Sequence, residues 1–119
     1  GNAVAGFFAN SRTDLSGYLE NRGALIFDVK VDGAPSDGVS LGMYCGQDCG
    51  AEQSITELLK GATRGEWKTV AVDLQCLAKG GAKMDMVLSP FYVRTAGELD
   101  LTIHDIHIAS KAEADISCG

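Results

Sequence analysis

The chain is poor in positive charge: ten Lys and Arg stand against sixteen Asp and Glu, a formal net charge of −6. The ten (Arg12, Arg22, Lys30, Lys60, Arg64, Lys68, Lys79, Lys83, Arg94 and Lys111) are scattered. They form no basic stripe that could neutralise phosphates, so no nucleic-acid partner is expected. An anionic membrane surface is disfavoured for the same reason. No apolar run approaches the ~20 residues of a membrane span, so no membrane insertion is expected. The first residue is Gly1, with no basic n-region and no signal-type apolar run after it, which reads as a processed or excised piece. G-x-G-x-x-G, the P-loop and H-E-x-x-H are all missing, and nothing local supports a Cys–His dyad. Two carboxylates among Asp28, Asp32, Asp37, Asp73, Asp85, Asp100 and Asp105 could flank a glycosidic bond. Each is better explained as a turn residue or a solvated strand position, so no catalytic residue is assigned.

Proline is scarce, at 2 residues, whereas glycine reaches 15. Many glycines between short apolar runs mean many turns, and hence a β-rich fold. The 119 residues suit one domain with a single core, and folding should bury roughly 65% of the unfolded surface. The apolar pattern has mostly period two. Leu25, Phe27, Val29 and Val31 share one face of a strand over 23–31, with Asp28 and Lys30 on the other. Asp32, Gly33, Pro35, Asp37 and Gly38 supply turn chemistry. Val39, Leu41, Met43 and Cys45 alternate next, followed by a tight loop over 46–50. Strands are also expected over 67–74, with Val70, Val72 and Leu74 on one side, and over 87–95, where Pro90 favours an edge, an end or a bulge. Leu99, Leu101 and Ile103 are out of phase with Ile106 and Ile108, which requires a bulge near His104 and Asp105. Ser54 and Glu57 resemble a capping box for a helical turn over 54–60 with Gly61 as C-cap. Residues 14–19 read as a short helical cover or a loop. The pattern predicts an all-β antiparallel sandwich or jelly roll with one short helical turn.

The four cysteines, Cys45, Cys49, Cys76 and Cys118, are an even set in an acidic, Gly-rich β domain, which favours disulfides and export. Cys45 and Cys49 are close enough for a tight loop to bridge, which would leave Cys76 to pin the tail through Cys118. Sequence alone permits three connectivities. A metal site from Cys45, Cys49, Cys76 and His104 or His107 is the weaker alternative, because C-x3-C without a second close pair is poor zinc spacing. No cofactor is expected beyond a candidate structural calcium, with Asp28 and Asp105 as ligands.

Sugar binding needs exposed rings, and the chain has one Trp, three Tyr and four Phe. Phe27 shares the apolar face of its strand and belongs to the core. Tyr44 and Tyr92 are out of phase with their apolar neighbours and point away from it. Tyr92 and Arg94 share a face. Trp67, at the start of its strand, reads as a core-edge residue with a sugar platform as the alternative. The candidate carbohydrate-binding residues are therefore Tyr92, Arg94, Tyr44 and Trp67. With Met84 and Met86, Leu88 is a candidate for an apolar packing face.

The segment Gly65-Glu66-Trp67-Lys68-Thr69-Val70-Ala71-Val72-Asp73-Leu74-Gln75-Cys76-Leu77 carries a family resemblance. So do Gly80-Gly81-Ala82, Ser89-Pro90-Phe91 and the run from Gly97 through Asp100, His104 and Asp105 to Ile106. With Gly23-Ala24-Leu25-Ile26-Phe27-Asp28-Val29 and the Cys45/Cys49 loop, they resemble the C-terminal ExoP-type galactose-binding-like domain of bacterial glycoside hydrolase family 3 exo-β-glucanases and β-glucosidases. The likeness covers about residues 15–109, leaving 1–14 and 110–119 as terminal segments of a single domain. It implies a secreted, periplasmic or outer-membrane-associated accessory module whose partners are the parent catalytic domains and β-glucan oligosaccharides. The catalytic residues would lie in those other domains. The rival readings are an independent carbohydrate-binding module and a structural or interaction domain without a ligand.

Overall fold

The structure is a computed structural model. It describes residues 3–7, 13–33, 38–95, 97 and 100–118, with 3–7 and Pro90 described by backbone alone. The turn residues Pro35 and Asp37, together with Leu99, Phe8 and the Phe7 ring, lie outside what it describes. The elements run β1 (Ala3–Phe7), α1 (Ser16–Glu20), β2 (Ala24–Gly33), β3 (Val39–Gly46), β4 (Cys49–Ser54), α2 (Thr56–Lys60), β5 (Trp67–Asp73), α3 (Leu74–Lys79), a 3-10 turn (Met84–Met86), β6 (Ser89–Thr95) and β7 (Asp100–Ala109). They build two antiparallel sheets, one ordered β1-β6-β3-β4 and the other β5-β2-β7.

The period-two faces meet between the sheets. Leu25, Phe27, Val29 and Val31 of β2 are buried against Leu41 and Met43 of β3 and Phe91 and Val93 of β6 within one apolar cluster. The Phe27 and Phe91 rings meet edge to face at 5.2 Å across the interface. Val70 and Val72 extend this core along β5, while Leu101, Ile103, Ile106 and Ile108 of β7 pack on it half-buried. The expected bulge is present. Ile26 pairs with His107 and Asp28 with His104, so β7 sets one extra residue against β2 there. Asp105 takes a left-handed φ of 57° at that point. The phase change returns Ile106 and Ile108 to the inner face and leaves His104 and His107 together on the outer one.

The helical content departs from the expected single turn. The 14–19 region forms α1 in part, and α2 occupies 56–60 with Gly61 as its C-cap, the Gly61 N–H donating to the Glu57 carbonyl at 3.0 Å. The capping box does not form: Ile55 stands at the N-cap. Instead the Thr56 hydroxyl accepts from the Val39 N–H at 2.9 Å and donates to the Val39 carbonyl at 3.2 Å, locking the start of α2 onto β3. Leu74 opens α3 rather than ending β5, because the Asp73 carboxylate accepts from the Gln75 N–H at 2.9 Å and caps a new helix. Leu74, Cys76 and Leu77 then bury one helical face.

Two disulfides close the fold, Cys45–Cys49 with Cα atoms 5.0 Å apart and Cys76–Cys118 with Cα atoms 4.9 Å apart. They overturn the thiolate–imidazole metal alternative, since all four sulfurs are consumed. The tail is docked on β5: the Asp115 N–H donates to the Ala71 carbonyl at 2.8 Å, the Asp115 carboxylate accepts from the Ala71 N–H at 2.8 Å, and Ile116 bridges to Val72. The Lys79 ammonium donates to the Cys118 carbonyl. The two bridges close loops of very different length, with sequence separations of 4 and 42. Replacing Cys76 and Cys118 together by Ser should therefore lower unfolding free energy by about 4 kcal/mol, against about 2 kcal/mol for the Cys45/Cys49 pair, in the chain-entropy account. Denaturant unfolding of both double variants checks the order.

Candidate functional site

The sandwich separates the sequence candidates onto opposite outer faces. Tyr44, Tyr92 and Arg94 lie outward on the four-stranded sheet, and Trp67 lies outward on the three-stranded sheet, paired with Lys30.

On the four-stranded face, Tyr92 of β6 stands in register between Gly6 of β1 and Gly42 of β3, and Glu52 of β4 is the next neighbour beyond Gly42. The glycine lets the phenol ring lie down across β3. A Cβ on Gly42 would come within 2.3 Å of the ring Cζ and 2.5 Å of the hydroxyl. The hydroxyl donates to Glu52 Oε2 at 2.8 Å, and Arg94 Nη1 is 3.1 Å from the same oxygen. The Arg94 guanidinium also stands 5.6 Å from the Tyr92 ring centre.

Tyr92 therefore departs from the expected exposed tyrosine. It faces away from the core, yet only 8% of it is accessible, because it lies in a trough with glycines to both sides and Arg94 above. Burial, first, and then the hydrogen bond and charge of Glu52 push its pKa up to about 12, with Arg94 opposing. Among the described residues, this face presents to solvent the Arg94 side chain, 51% accessible, the Glu52 side chain, 30% accessible, and the partly open Tyr44 ring, among others. That set combines hydrogen-bond donors, an acceptor and a ring, as recognition of sugar hydroxyls and C–H faces requires. Glu52 and Gly42 escaped the sequence reading. A glycine inside an alternating strand was the available signal, since it marks a place where another group approaches the backbone closely.

On the other face Trp67 is 52% accessible, which settles it as a surface ring rather than a core-edge residue. Lys30 Nζ lies 5.6 Å from its ring centre and the His104 ring lies 6.0 Å away at 63°. The calcium candidates lie on neighbouring strands, Asp28 in register with His104, the residue before Asp105. Asp28 accepts from the Thr69 hydroxyl at 2.6 Å, while Asp105 sits at the bulge with its carboxylate 4.0 Å from His107 Nδ1. Among the described residues no three His, Cys, Asp or Glu side chains group as a metal site. A cleft of about 520 Å³ opens between α1, α3 and the tail, lined in part by Arg22, Asp73, Gln75 and Lys79, and it contains none of the carbohydrate-binding or calcium candidates. Of the proposed packing face, Met84 is in the core while Met86 and Leu88 are half-buried. Among the described residues no helix is long and apolar enough to cross a membrane.

Two outcomes test this geometry. Gly42→Ala should destabilise the domain by about 2 kcal/mol through overlap with Tyr92, and the double variant Gly42→Ala/Tyr92→Ala should show coupling of opposite sign in a denaturant cycle. Because the folded-state pKa of Tyr92 lies above the ordinary tyrosine value of about 10, its contribution is complete below pH ~10 and is lost as pH rises through about 12. The ultraviolet phenolate titration of the wild type minus that of Tyr92→Phe should give a midpoint near the upper value.

Comparison with known proteins agrees with this architecture. The structure superposes on an exo-1,3/1,4-β-glucanase (ExoP) from a Pseudoalteromonas species with a TM-score of 0.73 and 19% identity, over 98% of this chain and 14% of the glucanase. A family 30 carbohydrate-binding module matches with a TM-score of 0.67 and 19% identity, over 99% of this chain and 65% of that one. The family 30 module of the cellulosomal cellulase Cel9D-Cel44B of Clostridium thermocellum matches with a TM-score of 0.66 and 21% identity, over 95% and 70%. Among curated protein sequences none matches significantly. A family profile, described as galactose-binding domain-like, matches residues 1–108. The chain therefore belongs to the ExoP C-terminal family of galactose-binding-like domains, a non-catalytic type of β-sandwich module.

Proposed function

We propose that this domain is the C-terminal accessory module of a secreted family 3 β-glucan hydrolase or β-glucosidase. It packs on the catalytic body and presents Arg94, Glu52 and Tyr44 to β-glucan. The superposition of nearly the whole chain on one seventh of the ExoP glucanase carries this reading, because it matches a module to one part of a much larger hydrolase. Two disulfides in 119 residues support an oxidising setting, secreted, periplasmic or at the outer membrane. On the four-stranded face the Tyr92 hydroxyl anchors Glu52 beside Arg94, so both polar heads are held in place before a sugar arrives.

The likeness to family 30 modules favours a second reading, an independent carbohydrate-binding module. Its weakness is the ring supply: the large hydrophobic side chains exposed among the described residues are Tyr44 and Trp67, on opposite faces. One sugar chain cannot stack on both.

Titration calorimetry with laminari- and cello-oligosaccharides tests the carbohydrate part. Saturable binding in the millimolar range is expected, weakened about tenfold by Arg94→Ala through loss of a charge-assisted hydrogen bond of about 1.5 kcal/mol. Heat that does not saturate removes the sugar-contact role. The accessory part predicts that the reading frame holding this domain encodes a family 3 catalytic domain upstream, and a frame without one overturns it.

A further inference from the structure

We propose that the outward face of the three-stranded sheet is a second glycan-contact surface, centred on Trp67 and facing away from the first. The proposal rests on the carbohydrate reading above for its ligand class, a neutral β-linked oligosaccharide. The site itself is argued from the geometry of this face.

Strand pairing lays out two adjoining rows across β5, β2 and β7. Trp67, Lys30 and Thr102 form one, and Thr69, Asp28 and His104 the other. Trp67 supplies the broad apolar ring among these six, and the other five carry hydrogen-bonding groups. The indole reaches across β2, where the Lys30 ammonium and the His104 ring edge hold it, yet about half of it stays open to water. A ring already fixed by two neighbours loses little conformational freedom when something stacks on it.

The surroundings choose the occupant. The centre of a protein–protein interface is depleted of charged residues. Here a lysine and a histidine stand against the indole, and an aspartate lies in the adjoining row. A pyranose fits this pattern: its C–H face lies on the indole, and its equatorial hydroxyls reach an ammonium, an imidazole nitrogen and a carboxylate. Asp28 is held for this use by the Thr69 hydroxyl at 2.6 Å, and a carboxylate retains further acceptor sites beyond that bond. Beside the indole, a depression of about 240 Å³ along the α2–β5 loop extends the surface past the sheet edge. Since the two faces look in opposite directions, a domain using both would touch two glycan strands at once.

Trp67 is the single tryptophan of the chain, so its emission reports on this face alone. The wild-type domain should be titrated with cello- and laminari-oligosaccharides, with heat and tryptophan emission recorded together. The expected result is a saturable shift of emission to shorter wavelength and a severalfold fall in iodide quenching. Lys30→Gln should weaken the emission-detected binding severalfold. Heat that saturates while emission and quenching stay constant overturns this site and leaves the four-stranded face as the sugar contact. Silence in both channels overturns the site and the carbohydrate reading together. Quenching that falls only when the domain is joined to its catalytic body identifies an interdomain contact and also overturns the proposal.

Discussion

The contact of Phe27 with Phe91 joins the two sheets, and the use of every other strand position follows from it. Phe27 lies on the central strand of the three-stranded sheet and Phe91 on an interior strand of the other. Once these rings meet, period two sends Leu25, Val29 and Val31 inward from one side and Val93 from the other. The same alternation sends Lys30, Asp28, Tyr92 and Arg94 outward. The chemistry of both outer faces is thus set by the packing of the inner ones. A one-residue slip of either strand would exchange core and surface along its whole length.

On a flat sheet the fate of an outward aromatic depends on its neighbours. Tyr92, Tyr44 and Trp67 all point away from the core, but Tyr92 is flanked in register by Gly6 and Gly42 and so lies flat and covered. Its hydroxyl then serves to place Glu52, and its ring is not offered to a ligand. Trp67 has Lys30 beside it instead of a glycine, and its ring reaches across β2 toward His104 with about half of it open. Neighbour size decides which aromatic is a positioning group and which is a surface.

The disulfides act at different scales. Cys45–Cys49 ties the β3–β4 turn, a local matter, whereas Cys76–Cys118 fastens the tail to α3 beside the edge of β5. An edge strand with free backbone groups invites unwanted pairing. The tail covers the C-terminal half of β5, where the backbone groups of Ala71 and Asp73 bond with Asp115 and Ile116.

Alternation by itself determined the inner faces of β2, β3 and β6, because burial on one side of a pleated strand leaves a two-residue period. The broken phase between Ile103 and Ile106 determined the bulge, and an even set of four cysteines left few ways to pair them. The resemblance carried by residues 65–77 determined the family. Tertiary structure decided what depends on contacts far apart in sequence. Leu74 continues the strand pattern, but capping by Asp73 and the burial of Leu77 turn it into a helix. Tyr92 follows the outward phase, but its burial depends on Gly42, far from it along the chain, and its partner Glu52 carries no local mark. Alternation states which side of a sheet a residue occupies. Only pairing across strands states what stands next to it, and on these faces that neighbour decides the chemistry.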